Sequence, residues 1–126
     1  AFQPIPYINV YAATKAFVLS YSRALNVELK YRRISVTAVC PYWVKTEFFD
    51  RAINSEEKTV VINYGVMYDA VKVVKKAIRD AYKNKDMSVY GKINNFQKLG
   101  AKILPHKTVM KIWMRRQKFD GTPNVR

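Results

Sequence analysis

The 126-residue chain has few of the residues on which several kinds of site depend. Its single cysteine, Cys40, excludes an intrachain disulfide, and its single histidine, His106, has no second histidine with which to share a metal ion. We therefore predict no metal site. The four glycines are scattered, so the glycine-rich turn that places a pyrophosphate at a helix N-terminus is absent from this sequence. No run of about 18 apolar residues occurs, so no membrane-spanning helix is expected.

Acidic residues are also scarce, since nine Asp and Glu stand against 23 Lys and Arg and give a formal net charge of +14. Such a charge favours anionic partners, namely nucleotides, nucleic acids or a negatively charged membrane surface. Hydrophobic residues make up 49% of the chain, which favours a buried core and argues against wholesale disorder. A single cysteine, which forms no intrachain disulfide, agrees with a location in the reducing cytoplasm. The first residue is not methionine, and we expect the chain to begin inside a longer gene product.

Apolar periodicity predicts helices and strands in alternation. Residues 11–31 carry two neighbouring apolar stripes at helical spacing, and so wide a face predicts packing against a sheet on one side and a partner subunit on the other. Residues 34–40 are rich in β-branched side chains and end at a proline, which is typical of a buried parallel strand. Residues 42–66 are predicted to be irregular, residues 68–83 helical and residues 87–90 a short strand. This order is that of a doubly wound α/β fold.

The last segment, residues 92–126, is predicted to be a basic helical tail. From Lys92 to Lys118 it contains six Lys, two Arg and no acidic residue. The charge has three interpretations: a solvated face over an apolar underside, a weak contact with a membrane surface, or nucleic-acid binding, for which no recognised motif is present. Apolar residues at helical spacing predict two amphipathic helices separated by a proline: Phe96, Leu99 and Ile103, then Val109, Ile112 and Trp113.

Tyr11 and Lys15 stand four residues apart near the start of the first predicted helix, which places them on one helical face. A free tyrosine releases its proton only at about pH 10. A neighbouring ammonium stabilises the phenolate, so the pair has the composition of a proton relay. A surface tyrosine packed on the stem of a lysine has the same spacing, and the pair by itself does not distinguish the two.

The surroundings of this pair resemble the short-chain dehydrogenase/reductase family. Residues 34–40 follow the helix as the family's next strand does, and residues 41–46 resemble its Pro-Gly-x-Val-x-Thr loop, with Tyr42 in place of the glycine. The resemblance covers residues 1–91 and implies the C-terminal part of a doubly wound, Rossmann-like parallel sheet, followed by the tail of residues 92–126. The positions of the active-site helix that carry it are Tyr11, Lys15, Ala16, Ser20, Leu25, Glu28 and Leu29.

The resemblance implies an oxidoreductase that uses NAD or NADP to transfer a hydride to or from a small carbonyl or alcohol substrate. Tyr11 would exchange the proton with the substrate, and Lys15 would ease the release of that proton and bond the nicotinamide ribose. The backbone of Val44 would hold the nicotinamide carboxamide, and Thr46 would contact the carboxamide or the phosphates. The loop residues implied in cofactor binding are Pro41, Tyr42, Trp43, Val44 and Thr46.

Phe48 and Phe49 follow this loop, where the lid over the substrate begins in the family. They are candidates for substrate contact or for packing within the lid. The resemblance also implies a homo-oligomer that forms through the helix of residues 11–31.

The sequence departs from the family's pattern in ways that bear on activity. The catalytic serine, expected thirteen positions before the tyrosine, would precede Ala1, so we predict that the isolated chain is inactive. Arg33 stands where related chains turn through glycine, and an arginine resists a left-handed conformation. The competing hypothesis is a truncated or decayed relative that acts without catalysis, through binding a partner or a membrane surface.

Overall fold

The computed structural model describes residues 1–47 and 61–119 of the chain. These residues form an α/β structure of helices and short parallel strands, with a 3-10 turn at Lys30–Arg32 after the first helix. The elements in chain order are α1 (Asn9–Glu28), β1 (Ala38–Val39), β2 (Trp43–Lys45), β3 (Met67–Asp69), α2 (Ala70–Tyr82), β4 (Met87–Ser88), α3 (Lys92–Ile103) and α4 (His106–Arg116).

β1 and β4 pair in parallel, with Ala38 opposite Met87. The order of helices and strands predicts this pairing, because two parallel strands need a long crossover connection between them. The Cys40 amide continues the ladder by donating to the Ser88 carbonyl at 2.9 Å.

The strand predicted at residues 34–40 is shorter in the structure because side-chain hydrogen bonds occupy backbone groups of its first half and of the neighbouring segment. The Val36 amide donates to the Asn26 side chain at 2.8 Å, and the Thr37 hydroxyl donates to the Lys85 carbonyl at 2.7 Å. These bonds take the place of a ladder before Ala38, and the prediction was wrong for the first half of the segment.

A second parallel pair joins β2 to β3, with Val44 opposite Tyr68. The prediction that residues 42–66 are irregular is therefore wrong at Trp43–Lys45. Three residues are too few to show the alternation by which a strand is predicted. Their partner also lies far along the chain.

α3 and α4 confirm the prediction of two amphipathic helices in the basic tail. Two buried residues fix the inward face of each helix. They are Asn94 and Ala101 in α3, and Val109 in α4 together with Gln117 just after it. Pro105 begins α4 from an extended conformation, with φ −56° and ψ 138°. None of the described helices is long and apolar enough to cross a bilayer.

The buried core is small for the length of the chain. The surface measures 9916 Å², whereas a folded protein of 14.7 kDa exposes about 6,900 Å². Phe17, Val18 and Tyr21 of α1 stand exposed, so the wide face of this helix is uncovered in the chain by itself. The buried apolar side chains among the described residues are Ala12, Cys40, Val73, Val89, Ala101 and Val109, and none is larger than valine.

The turn between α1 and β1 holds Arg33 in a left-handed conformation, with φ 57° and ψ 29°. A side chain at this backbone geometry costs about 1–2 kcal/mol. The Arg33 amide donates to the Lys30 carbonyl at 3.0 Å, and this bond closes the turn despite the strain. The arginine thus adopts the conformation that the sequence predicts it to resist.

Arg33→Gly is expected to raise the free energy of unfolding by about 0.5–1 kcal/mol, because relief of the strain exceeds the added freedom of glycine in the unfolded chain. Arg32→Gly is the matched control. It lies in the right-handed 3-10 turn, so the same substitution is expected to lower stability there by about 0.5–1 kcal/mol. Urea unfolding followed by circular dichroism measures both. If the two variants lose equal stability, Arg33 is not strained.

Candidate active site

Tyr11 and Lys15 lie in the first two turns of α1, which packs on β1. The chain enters the helix through Tyr7, whose φ is 69°, and the Asn9 side chain accepts a hydrogen bond from the Val10 amide at 2.7 Å. Buried Ala12 fixes the inner face of this first turn. Tyr11 and Lys15 therefore stand beside that inner face rather than on the far side of the helix.

The Lys15 ammonium lies over the Tyr11 ring, with Nζ 5.4 Å from the ring centroid. This is cation–π distance, so the two side chains meet as the spacing of four residues predicts. Tyr11 is 55% exposed to solvent.

The loop of residues 41–46 begins where β1 ends. Trp43–Lys45 forms β2, so the backbone of Val44 is held in a parallel ladder, while the Pro41 and Thr46 side chains are exposed. Ligands bind at the carboxyl ends of strands in open α/β sheets, and this loop occupies such an end. Phe48 and Phe49 lie outside the described residues.

Tyr42, which replaces the glycine of the family's loop, packs into a cluster of aromatic rings. Its ring meets Tyr68 edge-on with centroids 6.5 Å apart, and Tyr68 in turn meets Tyr90 at 5.2 Å. Trp43 meets Tyr64 at 5.1 Å on the neighbouring side. The Tyr42 side chain is therefore half-buried against β3.

Gly91 is the residue that this aromatic cluster requires. Its φ is 89°, and a Cβ atom placed on it would come within 2.4 Å of the Tyr68 ring. Only glycine has both the conformation and the space. The strand predicted at residues 87–90 stops just before Gly91. The contacts of Tyr64, Tyr68 and Tyr90 are not predicted, since the high tyrosine content of the chain is their only signal in the sequence.

Two buried amides, also missed, hold the segments around the site. The Asn94 side chain donates to the Cys40 carbonyl at 2.9 Å and fixes the end of β1 just before the loop. The Gln117 side chain accepts from the amides of Ile62 and Asn63, both at 3.0 Å, and donates to the Asn63 carbonyl. A polar residue in a tail carries no sequence signal for burial, because its partners are backbone groups far along the chain.

Cys40 lies beneath this region as a small buried side chain. Burial raises the pKa of the Cys40 thiol, which keeps it protonated and unreactive. Among residues 1–47 and 61–119, no three His, Cys, Asp or Glu side chains come together as a metal site would require.

Residues 1–58 match the family model of the short chain dehydrogenases. This part of the chain belongs to the short-chain dehydrogenase family. The matched segment contains α1 with Tyr11 and Lys15, β1, and the loop that follows it. The α/β architecture of this family agrees with the parallel strands described above.

Curated short-chain dehydrogenases match the chain over part of its length. The very-long-chain 3-oxoacyl-CoA reductase of Bos taurus is 43% identical over 44 residues, which are 35% of this chain and 14% of that protein. The 17-beta-hydroxysteroid dehydrogenase type 3 of Mus musculus is 36% identical over 59 residues, 47% of this chain and 19% of that protein. The matches thus cover less than one fifth of these relatives. No solved structure matches the chain.

Proposed function

We propose that the chain supplies the proton-relay side of an NAD(P)-dependent short-chain oxidoreductase that acts on a carbonyl or alcohol. The observation that carries the proposal is the Lys15 ammonium over the ring of exposed Tyr11, within the matched segment and on the helix that packs against β1. A phenol with a cation against it can exchange a proton with a substrate oxygen.

The residues present fit the nicotinamide end of such a cofactor. Exposed Lys15 offers a hydrogen-bond donor and exposed Thr46 of the loop offers a hydroxyl, as a ribose and a carboxamide require. Val44, held in its ladder by β3, presents a fixed backbone. The cofactor would supply the hydride, while the chain orients the substrate and Tyr11 gives or takes the proton. We leave open whether NAD or NADP is bound.

The same proposal covers the fold and the assembly. The pair of β1 and β4 would form part of a doubly wound, Rossmann-like sheet that includes residues 1–91, followed by residues 92–126 as a basic helical tail. Further strands beside β1 and a second subunit on α1 would cover the exposed Phe17 and Tyr21. We propose a cytoplasmic location, which the single cysteine supports.

A chimera tests this proposal. Residues 9–46 of this chain, from the start of α1 to the end of the loop, replace the counterpart segment of the bovine 3-oxoacyl-CoA reductase. We expect NAD(P)H-dependent reduction of a 3-oxoacyl-CoA to remain within about 100-fold of the parent enzyme, because the proton relay and loop are preserved. The purified 126-residue chain is the comparison and is expected to show no turnover.

Two outcomes of the chimera experiment decide against the proposal. One is a folded chimera that binds NAD(P)H but does not reduce the substrate. Tyr42→Gly in the chimera shows whether the loop alone is at fault, since it restores the family's glycine. If this variant is inactive as well, the segment does not carry the chemistry. The other is NAD(P)H oxidation by the 126-residue chain, which would show a site that the described residues do not explain.

A further inference from the structure

The basic helices of the tail expose an apolar surface. On α3, Phe96, Leu99 and Ile103 share one face and are 78%, 51% and 68% exposed. Single exposed apolar residues are ordinary on a protein surface, but three at this helical spacing form a stripe. Lys92 and Lys102 stand exposed on the same helix beside it.

The outward direction of this stripe is fixed by the opposite face of α3. Asn94 is 3% exposed and donates to the Cys40 carbonyl at 2.9 Å, and Ala101 is buried about two helical turns further along the same face. Rotating α3 to bury Phe96 would break this bond and leave the Cys40 carbonyl and the Asn94 amide buried without partners, which is costly. The apolar stripe therefore faces away from the described body of the chain.

α4 packs against α3 and adds positive charge to the tail. Lys107, Lys111 and Arg115 recur every fourth residue on its exposed side and line a shallow open groove with Met110 and Met114. From Lys92 to Lys118 inclusive, the sequence has eight cationic side chains and no Asp or Glu. An occupant of this surface must therefore be anionic and must also accept apolar side chains.

Two other kinds of occupant fit the surface poorly. A second copy would bring the same cationic side chains against it, and like charges repel at contact distance. A nucleic acid offers phosphates, but single strands are held by stacking on aromatic rings. Leu99 and Ile103 cannot stack, and Phe96 is the one aromatic side chain in the stripe.

We propose that α3 and α4 form a docking surface for a lipid bilayer that contains anionic headgroups. The cationic side chains would bind the headgroups, while Phe96, Leu99 and Ile103 enter the boundary of the acyl chains, as in helices that lie on a membrane. The docking surface lies outside residues 1–58 and acts without Tyr11. Its test is therefore independent of the proposed oxidoreductase chemistry.

Vesicle flotation with the full chain tests the docking surface, because bound protein rises with lipid whereas aggregates sink. We expect binding to phosphatidylcholine vesicles with about 30% phosphatidylglycerol and at least tenfold weaker binding to pure phosphatidylcholine. Phe96→Ser with Ile103→Ser is expected to weaken binding at least about tenfold. Reversing the charge of Lys107, Lys111 and Arg115 to Glu should weaken it at least as much.

Matched controls distinguish binding by this surface from nonspecific hydrophobic adsorption and from an effect of net charge alone. Phe17→Ser with Val18→Ser removes two exposed apolar side chains from α1 and is expected to change binding by less than about threefold. Reversing exposed Lys72, Lys75 and Arg79 of α2 to Glu changes the net charge by the same amount as the α4 reversal. It is expected to leave most of the binding intact.

The proposal is overturned if the α1 or α2 controls weaken binding as much as the tail variants. It is equally overturned if phosphatidylcholine vesicles bind as well as anionic ones. A third contrary result is tight binding of single-stranded DNA at about 0.15 M salt together with no flotation, which would assign the surface to nucleic acid.

Discussion

Tyr11→Phe in the chimera is expected to lower kcat by about 1,000-fold while the Kd for NAD(P)H changes little. Phenylalanine keeps the ring under the Lys15 ammonium but has no proton to exchange with the substrate oxygen. General acid–base catalysis contributes about 100- to 10,000-fold, and the hydroxyl of Tyr11 is the group proposed to supply it. Steady-state kinetics with cofactor titration by fluorescence measures both quantities.

Tyr21→Phe is the matched control for this variant. Tyr21 lies on the same helix and is 58% exposed, against 55% for Tyr11, and its ring stacks on Phe17 with centroids 6.1 Å apart. Removing the Tyr21 hydroxyl leaves that stack in place, so kcat should stay within about twofold. Equal losses in the two variants, or an unchanged kcat in Tyr11→Phe, would rule out Tyr11 as the proton donor.

Asp80→Asn is expected to lower the free energy of unfolding by about 2–3 kcal/mol at neutral pH. The carboxylate is buried, accepts hydrogen bonds from Lys76 and Lys85, and accepts another from the Ser88 hydroxyl of β4 at 2.8 Å. The lysine side chains are 35% and 50% exposed and can turn to solvent, which keeps the loss below that of a fully buried pair. Urea unfolding measures the difference.

The pH dependence of the same variant gives an independent test. Hydrogen bonds from Lys76 and Lys85 hold the pKa of the Asp80 carboxyl well below its usual range. A pKa lowered by folding gives stability that is complete above the unfolded value, about 3.9, and is lost as the pH falls below it. The advantage of the wild-type chain over Asp80→Asn should therefore shrink between about pH 4 and pH 2.

Asp86→Asn is the control for the Asp80 variant. Asp86 pairs with Arg23 at 2.7 Å on the surface, where the two side chains are 43% and 56% exposed. Exposed pairs contribute about 0–1 kcal/mol, so this substitution should cost far less. An equal cost at the two positions would mean that the buried network around Asp80 does not hold β4 in place.

Local features of the structure could be predicted from the sequence. The two tail helices are predicted by the spacing of their apolar residues, which is visible within about ten residues of sequence. Helical periodicity is a property of neighbours along the chain. The contact of Lys15 with Tyr11 follows from their spacing of four. The parallel pairing of β1 with β4 follows from the helix that separates them.

Other features depend on residues that meet from distant parts of the chain. The sequence by itself determined the helices, the crossover and the paired Tyr11 and Lys15, because each rests on neighbours within a few turns. Only the tertiary structure decided that Tyr42 packs on Tyr68, that Asn94 holds the end of β1, and that Gln117 binds Asn63. The physical reason is that a buried side chain takes whichever backbone group or ring the folded chain brings to it, and a pattern of residue types does not record that partner.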